Sequence, residues 1–102
     1  MNQRGPQLLA QKYPAETYAV VVDFSPALLS TDRLESVTTT VVTAQGTDAT
    51  PELVLSDEPT FSRLTATQRI AAGSSGCVYR ITFTAQTVNG ETHLVVVDLP
   101  VI

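Results

Sequence analysis

At 102 residues, with 43% hydrophobic content and a net charge of −4, the chain has room for one two-layer core and not for two domains. Its six basic residues are scattered and its pI is near 4.6, which argues against a phosphate-binding surface, so no nucleic-acid partner is expected. One cysteine excludes an internal disulfide, and neither a membrane span nor a secretion-signal core appears, so no membrane partner and synthesis in the cytoplasm are expected.

Residues 1–15 contain Gly5, Pro6 and Pro14 with no sustained period, and read as an irregular N-terminal arm ahead of a domain over 16–102. Residues 17–24 read as a strand with Tyr18, Val20, Val22 and Phe24 on one face. Ser25-Pro26 opens a loop or single helical turn. Residues 34–43 follow as a Thr- and Val-rich strand in which Val37, Thr39 and Val41 share a face; Leu34 has the opposite parity, which predicts a bulge near Glu35-Ser36. A turn at 45–48, a short strand at 52–55, one or two strands within 61–71 and a mobile turn at 73–76 come next.

The strongest local signal lies at the end. Two strand-like runs flank Val88-Asn89-Gly90-Glu91, and Asn-Gly suits a two-residue type I′ turn, which needs positive φ at both positions. That turn pairs Phe83 with Val96, Ala85 with Leu94 and Gln86 with His93. It places Val95 and Val97 beside Thr82 and Thr84 on the outer face. About seven strands with turns every 8–12 residues predict an all-β antiparallel sandwich.

The residues carry no visible chemistry. A thiol nucleophile needs a base within reach, and the single pair available, Cys77 and His93, lies roughly 30 Å apart along the predicted hairpin. Cys77 is in phase with Tyr79, Ile81 and Phe83, as a small core residue would be, and His93 beside a turn reads as a solvated strand residue. Zinc spacing and a calcium-loop pattern are absent, and Gly73-Ser74-Ser75-Gly76 lacks the Lys and following helix of a phosphate loop. No catalytic residue, metal or cofactor is expected. Tyr79 suits a tyrosine corner, a structural role.

Leu94-Val95-Val96-Val97 does not alternate as a half-solvated strand should. Either the arm, through Leu8 and Leu9, covers the second face, or the valines stand exposed, or the face is a subunit interface. The interface reading takes Leu8, Leu9, Val95, Val97, Val101 and Ile102 as its residues.

From about Lys12 to Val101 the chain resembles small immunoglobulin-like proteins of tailed bacteriophages, the fiber-tail adaptor or minor tail proteins. The residues that carry it are Lys12-Tyr13-Pro14 leading into Asp23-Phe24-Ser25, where the family shows Asp-Trp-Ser, then Asp32-Arg33-Leu34-Glu35-Ser36-Val37. The stretch from Ile70 through Gly73-Ser74-Ser75-Gly76 to Tyr79-Arg80-Ile81-Thr82, and Thr87-Val88-Asn89-Gly90-Glu91, continue it. The resemblance implies an immunoglobulin-like sandwich acting as a virion part, in contact with other tail or fiber proteins, the portal or the capsid, and copied as a homo-oligomer. The alternative is a capsid decoration or cell-surface carbohydrate-binding module, which the small set of aromatic residues, most in core phase, disfavours. An enzyme fits least, because no acid/base or nucleophile constellation survives the spacing test.

Overall fold

The computed structural model describes residues 7–102. Their strands are β1 (Gln7–Leu8), β2 (Tyr18–Asp23), β3 (Leu34–Gln45), β4 (Thr60–Phe61), β5 (Thr65–Ile70), β6 (Val78–Thr87) and β7 (Thr92–Pro100). They form two sheets, one of four strands in the order β1-β7-β6-β3 and one of three in the order β2-β5-β4. The protein is an all-β, two-sheet sandwich, and its strand pairs are antiparallel except for β1, which runs parallel to β7.

Alternation builds the core. Tyr79, Ile81, Phe83 and Ala85 of β6 face Val20 and Val22 of β2 and Ala66 and Ile70 of β5, and all are buried. Phe24 closes one end. The 3-10 turn Ser25–Ala27 follows it, entered through an Asx turn at Asp23, whose Oδ1 accepts the Ser25 N–H at 2.9 Å and whose Oδ2 accepts the Ser25 hydroxyl at 3.0 Å. The expected bulge is present as a register shift between Leu34 and Ser36.

Three expectations need correction. Residues 52–55 are not a strand: Pro51–Val54 is a 3-10 turn, because Pro51 has a φ suited to its first position and no N–H to give a ladder. The turn sends Val54 into the core and leaves Leu53 in solvent. The arm is irregular over most of its described part but not all of it, since Gln7 and Leu8 pair with Val97 and Asp98 and Lys12 bridges to Val101.

The third correction is the hairpin register. Gly90 has φ +85 but Asn89 does not have a positive φ, and the Gly90 N–H bonds to Thr87 O. This is a type I turn followed by a left-handed glycine bulge, which takes up one residue more than the type I′ turn. Every partner on β7 moves by one: Phe83 pairs with Val95, Ala85 with His93 and Ile81 with Val97. Since strand period is two, a slip of one exchanges the faces. Val95 and Val97 point inward, and Leu94 and Val96 point outward.

Candidate protein-docking site

The outer face of the four-stranded sheet is built in cross-strand rows. Thr38, Thr84 and Leu94 form one row, Thr40, Thr82 and Val96 the next, and Val42, Arg80, Asp98 and Leu8 the third. Leu8 is 78% exposed, Val42 57% and Leu94 47%, values that put large apolar side chains in solvent along with the threonine methyls. The one charged pair on these rows is self-satisfied, with Arg80 Nε and Nη2 donating to the two Asp98 oxygens at 2.9 and 3.0 Å. Over its described residues the arm extends this surface and does not cover it, because β1 adds to the β7 edge in plane.

The six residues read from the sequence do not converge on that surface. Val97 and Val101 are 1% and 2% exposed and belong to the core, a correction that follows from the glycine bulge. Val95 and Leu9 are half-buried and pack against the core. Leu8 stands on the outer face, and Ile102 is exposed beyond it with its N–H on Lys12 O. Leu94, Val96 and Val42 are the outward residues that sequence reasoning missed; the Gly90 bulge was the one signal that would have found the first two.

The motif residues prove to be locks. Lys12 is fully buried, and its ammonium donates to Ala72 O at 2.6 Å, Tyr13 O at 2.9 Å and Pro14 O at 3.1 Å, tying the arm to the turn between β5 and β6. Burial pushes the Lys12 pKa down, with the Glu16 charge partly opposing. Tyr79 accepts the Ser74 N–H at 2.6 Å and donates to Asp48 Oδ2 at 2.5 Å, joining two loops at one end of the sandwich. Burial and then Asp48 push the phenol up, while the Tyr79 hydroxyl and the Thr50 N–H hold Asp48 below the ordinary 3.8.

Asp32 is the lock at the other end. It is fully buried, and its Oδ1 accepts the N–H groups of Arg33 at 2.9 Å and Asn89 at 3.1 Å, so the loop after the first 3-10 turn holds the β6–β7 turn. Burial opposes its ionisation, yet the nearby Thr87 hydroxyl, short of full hydrogen-bond geometry at Oδ2, acts with the two N–H groups and His93 to hold its pKa below 3.8. The N–H groups, at 2.9 and 3.1 Å, make the firmer of these contacts.

Cys77 is 3% exposed in the core. His93 lies opposite Ala85, eight positions up β6 from Cys77, and Nε2 meets Glu91 Oε1 at 2.9 Å. Among the described residues no group of three or more His, Cys, Asp or Glu side chains could hold a metal ion. Phe24, Tyr79 and Phe83 are buried, which leaves Tyr13 and Phe61 as the well-exposed aromatic rings.

No curated protein and no solved structure matches the chain. A family model does, that of the podophage GP4 fiber-tail adaptor protein gp77, over residues 12–100, from the buried lysine through the end of β7. With nearly the whole sandwich inside that match, the chain belongs to the podophage fiber-tail adaptor family.

Proposed function

We propose that this protein joins neighbouring parts of a phage tail through the outer face of its four-stranded sheet, by assembly and not by turnover. A fiber-tail adaptor is a structural component of the virion and not an enzyme, and its partners are tail and fiber proteins. The observation that carries the finer reading is the face itself: Leu94, Val96, Val42 and Leu8 stand among threonines with no unpaired charge among the described residues of its rows, which makes desolvation cheap. We further read the sandwich as immunoglobulin-like, with the Tyr79 corner and the two-sheet order in support, made in the host cytoplasm and copied around the tail axis, where repetition turns weak contacts into firm attachment.

The test uses light scattering over a concentration series, alongside incorporation into particles by complementation. Leu94→Lys with Val96→Lys should leave the thermal transition near that of the parent and reduce self-association or incorporation at least tenfold. Val97→Lys, which buries an unpaired charge, should fail to fold and serves as the inward control. A folded Leu94/Val96 variant that assembles like the parent would remove the outer face from the proposal.

A further inference from the structure

A second surface lies at the free edge of β3, distinct from the outer face. In the four-stranded sheet β3 is terminal, and apart from the Leu34 N–H, which reaches Arg63 O, none of its backbone groups bonds beyond β6 among the described residues. Register shifts at Leu34/Ser36 and Thr43/Gln45 bracket a regular stretch from Ser36 to Thr43. Alternate residues there turn N–H and C=O away from the sheet, about four residues in all. The stretch carries none of the charge or proline that ordinarily blunts such an edge.

Beside it runs a groove of about 480 Å³, walled on one side by Val37, Thr38 and Thr39 and on the other by residues 55–59. Asp57 and Glu58 stand exposed on that far wall and enter no ion pair among the described residues. From 34 to 62 the chain holds five acids, Glu35, Asp48, Glu52, Asp57 and Glu58, and no Lys, Arg or His. The edge is therefore an extended-chain template flanked by unneutralised negative charge.

We propose that the β3 edge accepts, by strand addition, an extended segment of a different chain that carries Lys or Arg at alternate positions. Main-chain bonds to the Ser36–Thr43 stretch supply the affinity, and basic side chains over Asp57 and Glu58 supply the selection. A second copy fits poorly. Its own β3 would bring acid to acid, β1 and β4 are two residues long, and β2 is flanked by Glu16 and Asp23.

The probe is a capped synthetic peptide, Lys-Val-Lys-Thr-Lys-Val-Lys, with its lysines on one face of an added strand, titrated into the isotopically labelled full chain, with a Glu-for-Lys peptide as control. The expected result is saturable amide shifts at Val37, Thr38, Thr39, Asp57 and Glu58, with slowed hydrogen exchange along β3. Asp57→Asn with Glu58→Gln, both exposed and expected to fold, should weaken binding about tenfold, as should raising salt from roughly 50 to 300 mM. Leu94→Lys with Val96→Lys should leave this binding intact, which separates the edge from the outer face. Absence of saturable shifts at β3, equal binding of the acidic peptide, or shifts that grow with protein concentration alone would each overturn the proposal, the last in favour of a self-contact.

Discussion

At the scale of single residues, stability rests on a few buried polar groups that the core surrounds. Asp32 and Asp48 each ionise more readily in the folded chain than at 3.8, so the unfolded state binds more protons as acidity rises through that value. Their contribution is complete above about pH 5 and is lost as the pH falls through 3.8 toward the folded pKa values. Urea melts between pH 2 and 7 should show an acid limb that flattens in Asp32→Asn and in Asp48→Asn; a limb as steep as the parent's in both variants would place the acid sensitivity elsewhere. Tyr79→Phe removes the hydroxyl of a buried tyrosine from a partly buried network with Asp48 and the Ser74 N–H, and should cost about 1–2 kcal/mol. A loss in urea melts indistinguishable from zero would mean that water replaces the hydroxyl.

At the scale of elements, the β6–β7 turn decides which face of the last strand meets the core. Gly90 at φ +85 is the residue that makes the bulge possible, and an L side chain there costs about 1–2 kcal/mol. Gly90→Val should lower the unfolding free energy from urea melts by that amount with the slope unchanged, and the cross-strand contact between Phe83 and Val95 should persist, because burial of Val97 and Leu99 holds the register once formed. A switch of that contact to Phe83 and Val96 would show that the turn alone had set it. The same turn explains what was legible beforehand. Strand β2 and strand β6 alternate, so Val20, Val22, Ile81 and Phe83 could be placed in the core from sequence. Asn-Gly serves both a two-residue turn and a type I turn with a bulge, and four consecutive apolar residues, Leu94 to Val97, offer no alternation to choose between them. The outer face proposed for docking was thus visible as an anomaly in β7 while its residues were read one position out. Likewise Lys12 and Asp32 gave no sign of burial, since the partners that fix them in place, the Ala72 carbonyl and the Asn89 N–H, lie far along the chain.

At the scale of the whole molecule, the arm and the last residues close the same end of the sandwich and depend on one another. The Lys12 N–H bonds to Pro100 O, Lys12 O accepts the Ile102 N–H, and the Lys12 ammonium reaches Ala72 O, so one residue links arm, final strand and the β5–β6 turn. That linkage argues that the folding unit begins near Lys12 and not at residue 16. A chain starting at residue 11 loses the short parallel pairing of Gln7–Leu8, whose side chains are exposed, and the partial packing of Leu9. A chain starting at residue 16 loses, in addition, the fully buried Lys12 and leaves the Ala72 and Pro100 carbonyls at that end without it. With about 0.5–1.5 kcal/mol for each of the Lys12 bonds to Ala72, Pro100 and Ile102, and a shift of about 4–8 °C per kcal/mol in a domain of this size, the second truncation should melt at least roughly 6 °C below the first. Equal melting temperatures would place the boundary after the lysine, and would reduce the arm to an appendage whose binding to the sandwich is incidental to its fold.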